Sequence, residues 1–462
     1  MKHVFHPTVL REYDLRGIVG ETLSDGDALA LGRAFGSVAR KCGHEAIAVG
    51  WDGRHSSPDL AAALSEGLTA VGVDAVQVGL GPSPMLYFAT HHLAVGGGVM
   101  VTGSHNPPDY NGFKLTLGGD AFYGADILEI GRIAAEGDFD LAQNGKPEGS
   151  ISQQPVFDAY VERLFRDFEP GRPLKVAWDA GNGAAGEAMK ALCERLPGQH
   201  LLLYEDIDGR FPNHHPDPTV EKNLEDLKRC VIENGCDLGV AFDGDGDRIG
   251  AVDEKGQVLW GDQIMLLLAR SVLKNNMGAP IIADVKASQI LFDGIAEAGG
   301  DPVMWKTGHS LIKAKMKELK SPFAGEMSAH IFFADRYYGF DDALYAAVRL
   351  LNVAGNEVES LAAFRASLPA VCNTPEIRFD CPEERKFAVV EEVGERLAEE
   401  GAEVVSLDGV RVNCPEGWWL LRASNTQAVL VVRCEAADEE GLKALKGMVR
   451  EQLHASGLDA PF

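Results

Sequence analysis

In DGDGDR, Asp243 to Arg248, three carboxylates occupy alternate positions. On an extended loop alternate side chains point the same way, so Asp243, Asp245 and Asp247 can converge on one cation. Gly244 and Gly246 let the backbone bend between them. Three oxygen donors without His or Cys favour a hard ion, Mg²⁺ over Zn²⁺. The spacing also fits the start of a calcium-binding loop, with Glu254 at the twelfth position. That reading fails at the sixth, where Arg248 replaces the glycine of the sharp turn, and the flanks read as strands rather than helices. A solvated acidic turn is the plain alternative. Three carboxylates fill half of an octahedral shell, and a phosphate oxygen would suit the remainder.

TGSHNPP, Thr102 to Pro108, places a lone hydroxyl, Ser104, on a loop stiffened by two prolines. Alone it reads as a surface turn. Beside a cation loop, a phosphorylated Ser104 would offer the ion oxygens and about two negative charges. In RASNT, Arg422 supplies a bidentate fork, and Ser424, Asn425 and Thr426 supply short donors. Together they suit a phosphate cradle, or else a polar hairpin turn. GEMSAH offers Glu326 and Ser328 as alternate residues for sugar hydroxyls, or simply a satisfied glutamate at a strand end. GNGAAG, Gly181 to Gly186, follows a strand, opens a helix and has Glu205 and Asp206 downstream. That is the context of a dinucleotide site, so an NAD-dependent dehydrogenase is the reading from another enzyme class. Against it, the carboxylates of DGDGDR close a strand of the same unit and would repel a pyrophosphate. The glycines then serve close helix–strand packing. His214 and His215 lie in a proline-rich loop and read as loop residues rather than metal ligands.

The elements that must position these loops alternate. EAIAVGWD (45–52), VDAVQVGL and GGGVMV read as strands separated by helices, PDLAAALSEGLTAVG and SPMLYFATHHL. LKVAWDA, QHLLLYE and DLGVAF form a second unit, with GNGAAGEAMKALCERL as a helix and RIGAVDEKGQVLW as a hairpin. PIIADV, PVMWKTG and PFAGEMS form a third, which the helix around DDALYAAVRLLN closes. Continuous apolar strands between helices indicate sheets covered on both faces. The C-terminal part changes to antiparallel sheet segments with two helices. The fold expected is α/β: three similar units with mixed, mainly parallel sheets, and a C-terminal α+β unit. A charged stretch at 136–156 reads as a boundary. The expected domains are 1–152, 153–256, 257–367 and 368–462.

With 462 residues the chain exceeds what one core can hold. A net charge of -26 argues against nucleic acid or an anionic membrane as partner, and requires local cations around any anionic ligand. Eight scattered cysteines without a CxxC pair read as reduced thiols, and MKHVFHPTVL has no signal-peptide pattern, so a cytoplasmic location is expected. No apolar run approaches the roughly 20 residues that span a bilayer.

EYDLRG (12–17), TGSHNPPDYNGFK (102–114), DGDGDR, GEMSAH and RASNT occur in that order. In this the whole chain resembles the α-D-phosphohexomutases, most of all their bacterial phosphomannomutase/phosphoglucomutase branch. The resemblance implies four domains around a central cleft, and Ser104 as a phosphoserine that passes its phosphoryl group through a hexose 1,6-bisphosphate, which also serves as activator. It implies Mg²⁺ on Asp243, Asp245, Asp247 and the phosphoserine, and sugar hydroxyls on Glu326 and Ser328. Arg422, Ser424, Asn425 and Thr426 would hold the non-transferring phosphate. Tyr13, Arg16, His105, Lys114, Arg248, Lys286, Gly308, His309 and His330 would line the cleft, with His330 as base and Lys114 or Arg16 as acid. The implied substrates are mannose and glucose phosphates, turned over by a monomer. Phosphoglucosamine mutase is the alternative within the class, and a metal-dependent phosphatase or a non-catalytic sugar-phosphate binder lies outside it. Ala329 stands where many relatives have glycine, and its methyl is expected to narrow the sugar pocket.

Overall fold

Gly97–Val101 and Leu238–Phe242 are buried along their whole length. A strand with no wet face needs cover on both sides. In the computed structural model Val99 and Val101 face one core and Met100 the opposite one. Leu238, Val240 and Phe242 are likewise separated from Ala241. The structure describes residues 2–141, 148–425 and 427–462, and these form four sheets.

The first sheet has the spatial order Leu15–Ile18, Tyr110–Leu117, Gly97–Val101, Ala46–Trp51, Asp74–Leu80, Ile151–Gln153. The second runs Val258–Leu259, Ile249–Asp253, Leu238–Phe242, Leu174–Asp179, Gly198–Leu203. The third runs Asp301–Trp305, Pro280–Asp284, Phe323–Gly325, Ile331–Phe333. All three are mixed, and they repeat one device. A parallel strand hands on to an antiparallel neighbour through a short loop: Gly97–Val101 to Tyr110–Leu117, Leu238–Phe242 to Ile249–Asp253, and Phe323–Gly325 to Ile331–Phe333. TGSHNPP, DGDGDR and GEMSAH are those three loops. Each therefore leaves the carboxyl end of a strand, where open α/β sheets place their ligands. The fourth sheet, centred on Gly417–Ala423 and Val429–Ala436, is antiparallel throughout.

Several elements differ from the sequence reading. The helix expected from Gly181 begins at Gly186, because Gly181 and Asn182 sit at φ 53° and 59° and make a turn instead. Tyr110–Leu117 is a strand the pattern conceals. It follows two prolines and contains Asn111, Gly112 and Lys114, yet it pairs on both sides, so tertiary context overrides propensity. The strands Leu15–Ile18 and Ile331–Phe333 and the helix Asp25–Lys41 are similarly unannounced. Within the boundary stretch, residues 142–147 lie outside the described ones, and Ile151–Gln153 still pairs with Asp74–Leu80 of the first sheet. Among the described residues no helix is long and apolar enough to cross a membrane.

One apolar core runs from Met100 through Trp178 and Leu267 to Phe333, so it is common to the first three sheets. The fourth sheet has its own, around Trp419, Val432 and Leu445. Its junction with the third is a small apolar cluster of Val285, Trp418 and Leu420, beside which buried Arg411 donates to the carbonyls of Val285 (2.7 Å) and Ala287 (2.9 Å).

Within the common core Asp342 caps the helix Ala343–Asn356, accepting from Tyr345 N (2.9 Å), Tyr337 Oη (2.8 Å) and Tyr160 Oη (3.0 Å). Burial raises its pKa to about 7, against the pull of these donors. An unfolded aspartate titrates near 3.9, so between about pH 4 and about 7 the native state binds the extra proton and stability falls as pH rises. Asp342→Asn carries no such proton. Its unfolding free energy is expected to decline less than that of the wild type between about pH 5 and about pH 8 in urea titrations. Parallel declines would mean that the carboxyl is ionised throughout.

Candidate active site

Ser104 is buried and sits at φ 48°, in the left-handed region. That conformation costs an L-residue about 1–2 kcal/mol, so the surroundings must impose it. Asp52, at the end of Ala46–Trp51, accepts from Thr102 Oγ1 (2.8 Å), Gly103 N (3.3 Å) and Ser57 Oγ (2.5 Å). Thr102 Oγ1 in turn accepts from Ser104 N (2.8 Å). Ser104 Oγ donates to Asp243 Oδ2 (3.0 Å) and lies 3.1 Å from His105 Nδ1. The two loops are in direct contact: a Cβ on Gly244 would stand 2.4 Å from the Ser104 carbonyl oxygen. Burial, with Arg248 and Arg16 nearby, pushes the His105 pKa well down, so its ring is neutral.

Asp243, Asp245 and Asp247 are fully buried, and one oxygen of each lies within 4.8 Å of the others. Asp245 Oδ1 and Asp247 Oδ1 accept no close hydrogen bond, and the latter faces His330 Nε2 at 3.3 Å. Orphaned buried oxygens call for a cation, and an all-oxygen set suits Mg²⁺. The donors therefore fit the expected ion. Lys114 Nζ donates to Asp245 Oδ2 (2.6 Å) and to Asp247 Oδ2. Burial and the two neighbouring carboxylates raise Asp243 well above the usual range, whereas Lys114 and His330 overcome burial at Asp247 and hold it well below. Ser83, which begins the helix Ser83–His92 of the first unit, donates through both N (2.8 Å) and Oγ to Asp245. The strands flanking DGDGDR exclude the calcium-loop geometry, and Glu254 is spent on Ala362 N (3.1 Å). Asp247, His330 and Asp341 form a second close group, but Lys313 already lies 3.1 Å from Asp341.

GEMSAH joins this centre through His330, whose Nε2 is 3.3 Å from Asp247 Oδ1 and whose Nδ1 is 3.1 Å from Glu326 Oε2. Arg248 Nε lies 3.3 Å from His330 Nε2, and Ser328 Oγ is 3.1 Å from Nδ1. Burial disfavours the charged ring, but Asp247 and Glu326 raise its pKa to about 9. Without a cation this favours the imidazolium, which donates, at neutral pH. A cation among the aspartates would offset Asp247 and lower that pKa. Glu326 also accepts from Gly308 N (2.7 Å), so both its oxygens are engaged. Ala329 is at φ 66°, and its methyl belongs to the common apolar core. It therefore does not narrow a sugar pocket, and its cost is the left-handed backbone that glycine would adopt freely.

The N-terminal segment ties the remaining loops together. Tyr13 Oη donates to the Thr307 carbonyl (2.9 Å) and accepts from Asn425 Nδ2 (2.8 Å), joining the first, third and fourth units. Arg16 pairs with Asp14 and donates to Asn106 Oδ1 (2.7 Å) in the serine loop. The His309 ring lies between those of Tyr13 and His330, with centroids 6.1 and 5.7 Å away. Lys286 bridges Glu376 (2.9 Å) and Asp284 (3.5 Å). Arg422 pairs with Asp408 (3.0 Å), which also accepts from Thr307 N (3.0 Å), and Ser424 Oγ accepts from Gln427 N (3.2 Å). Thr426 lies outside the described residues. Asp52, Ser83, Asp284 and Asp408 are contributors the sequence reading missed. The available signal was position, since Asp284 and Asp179 end strands of these sheets and Asp52 directly follows one.

GNGAAG is not an anion cradle. The amides of Gly181, Asn182, Gly183, Ala184 and Gly186 donate to Asp179, Tyr204, Ala180, Gly244 and Gly183 within the protein. A Cβ on Gly186 would stand 2.0 Å from the Glu205 carbonyl oxygen, so the motif serves close packing, which removes the dehydrogenase reading. His214 holds Asp179 (3.0 Å) and takes no part in the aspartate centre.

The layout of three loops and a fourth sheet has known counterparts. Models of the phosphoglucomutase/phosphomannomutase domains match in sequence: alpha/beta/alpha domain I at residues 7–140, II at 158–256, III at 260–371 and the C-terminal domain at 376–452. The chain is 44% identical over 458 residues to phosphomannomutase/phosphoglucomutase of Pseudomonas aeruginosa, covering 98% of each. It is 41% identical over 453 residues to phosphoglucomutase of Neisseria gonorrhoeae, covering 97% of each. The crystal structure of a phosphoglucomutase/phosphomannomutase family protein from Burkholderia thailandensis superposes with a TM-score of 0.93 at 43% identity, over 99% of this chain and 100% of that one. Four domain matches in order, relatives matched end to end and a serine loop seated on an aspartate loop make this chain a member of the phosphoglucomutase/phosphomannomutase family.

Proposed function

We propose that the protein interconverts the 1- and 6-phosphates of glucose and mannose through a phosphoserine at Ser104. The observation that carries this reading is the contact of Ser104 Oγ with Asp243 at 3.0 Å, which seats a buried hydroxyl on a cation-ready cluster. In the first half-reaction the bond from phosphorus to Ser104 Oγ breaks as a sugar hydroxyl oxygen bonds phosphorus and gives up its proton. The product is a hexose 1,6-bisphosphate. It reverses in the cleft, its other phosphoryl group returns to Ser104, and the freed sugar oxygen takes up a proton. Because the reaction is reversible, His330 serves both directions, as imidazolium to the leaving oxygen and as imidazole to the attacking hydroxyl, with Lys114 or Arg16 as the partner acid. Mg²⁺ bound by Asp243, Asp245, Asp247 and the phosphoserine would supply charge stabilisation. Arg248 adds positive charge at the transferring group. Arg422, Ser424, Asn425 and Thr426 hold the other phosphate, Glu326 and Ser328 the sugar hydroxyls, and Tyr13, His105, Lys286, Gly308 and His309 complete the cleft. The protein acts as a cytoplasmic monomer on small sugar phosphates, activated by catalytic hexose 1,6-bisphosphate.

The test follows ³¹P signals of the Mg²⁺-loaded protein with mannose, glucose or glucosamine 1-phosphate and a trace of glucose 1,6-bisphosphate. Mannose and glucose differ at C2 and share C3 and C4, so both are expected to yield 6-phosphates at comparable rates. Free phosphate should stay near background, since a closed cleft keeps water from the phosphoserine. Stoichiometric phosphate release would make the protein a phosphatase. Turnover of the glucosamine compound alone would make it a phosphoglucosamine mutase.

A further inference from the structure

Arg54 follows the strand Ala46–Trp51, and its side chain is 0% exposed. A buried guanidinium has five N–H donors to satisfy. Nε donates to Asp52 (3.2 Å). Nη1 donates to the carbonyls of Pro107 and Tyr110 (2.9 Å), and Nη2 to those of Ser104 (2.7 Å) and Asn106 (2.6 Å). Every donor is spent, and four of the five acceptors are main-chain oxygens, three in the serine loop and one on Tyr110 at the start of the next strand. The Phe211 ring of the second unit closes over the fork, 5.2 Å from Cζ, and is itself held at φ 48°. Further along the same loop the Pro216 carbonyl accepts from Gly244 N (3.1 Å) in the aspartate loop. The segment 205–219 thus buckles the serine loop to the aspartate loop, with Arg54 as the part that grips.

We infer that Arg54 is a positioning residue for phosphoryl transfer, its fork fixing the serine-loop carbonyls and through them the direction of Ser104 Oγ toward the aspartates. It touches no reacting atom. Without the fork four carbonyls face a buried space, and the loop must turn to satisfy them. Lysine keeps the charge but offers three donors on a compact ammonium, so it cannot cap four carbonyls and Asp52 together. The inference rests on Ser104 as the phosphoryl carrier.

The test uses Arg54→Lys, and Arg54→Ala with and without millimolar guanidinium, all as full-length Mg²⁺-loaded protein. In Arg54→Lys, intact mass is expected to show the phosphate adduct as in the wild type, with KM for glucose 1-phosphate within about threefold and kcat about 100-fold lower, the cost of a misplacement near 1 Å. Guanidinium, and not ammonium, is expected to restore Arg54→Ala by about tenfold or more. A kcat for Arg54→Lys within about threefold of the wild type, a loss confined to KM, or equal rescue of folded Arg54→Ala by ammonium overturns the inference. If Arg54→Ala does not fold, the Arg54→Lys comparison decides alone. No adduct in the wild type would overturn the phosphoserine reading, and this inference with it, whereas adducts in both proteins with equal kcat overturn this inference only.

Discussion

Ser104→Ala is expected to lose about 10⁴-fold or more in turnover while keeping its fold. The hydroxyl contributes only its contacts with Asp243 and His105 to the folded state. Alanine tolerates the left-handed backbone about as well as serine, and Thr102 still accepts from the main-chain nitrogen. Urea midpoints of the two proteins should therefore agree closely. Turnover falls because no other hydroxyl of the loop faces the aspartates: Thr102 Oγ1 is directed at Asp52. Intact-mass analysis should show a phosphate adduct on the wild type that exchanges with hexose phosphate, and none on the variant. Near-normal turnover by the variant with catalytic hexose bisphosphate present would take Ser104 out of the reaction.

Chelation of divalent ions is expected to remove about 10³-fold of the activity, the worth of roughly 4 kcal/mol of charge stabilisation at the transferring phosphoryl group. Three buried carboxylates, two of them with an oxygen that accepts no hydrogen bond, hold stability in reserve for a cation. Added Mg²⁺ at about 100 times its Kd should stabilise the wild type by about 2.7 kcal/mol, read as a thermal shift. Asp245→Asn keeps the size of the side chain and removes one charge. It is expected to need about tenfold more Mg²⁺ for half-maximal turnover and to show a correspondingly smaller thermal shift. An undiminished shift in Asp245→Asn would place the ion elsewhere. Full activity after exhaustive chelation would remove it from the reaction.

The parts of the site legible in the sequence are those whose chemistry is local. Alternate aspartates on one loop announce a shared target before any fold is known, and Ser104 is marked by the stiffness of its own neighbours. Arg54 is not legible, because its partners are mostly main-chain carbonyls some fifty residues away, and a carbonyl has no letter in a sequence. Asp52 acquires its role only when Thr102 of that distant loop reaches it. Asp408 and Asp284 are hidden for a related reason, since each acquires meaning from the loop it meets. The same division holds for the fold. Fully buried strands such as Leu238–Phe242 stand out by composition, whereas Tyr110–Leu117 becomes a strand through the two neighbours that pair with it. GNGAAG is the converse, a motif whose letters suggest a ligand and five of whose six amides are committed within the protein.

The common core of the first three sheets and the separate core of the fourth give heat two places to act. Units that share a core open together, while one docked through the small cluster of Val285, Trp418 and Leu420 can open first and at lower cost. In a warmed solution the fourth unit would loosen before the rest, taking Arg422 and Asn425 with it while Ser104 still faced Asp243. Such a molecule would retain its phosphoryl carrier and its cation site but lose its hold on the far phosphate between half-reactions. It would spill its bisphosphate into solution before it lost the ability to make it, so fidelity would fail at a lower temperature than chemistry.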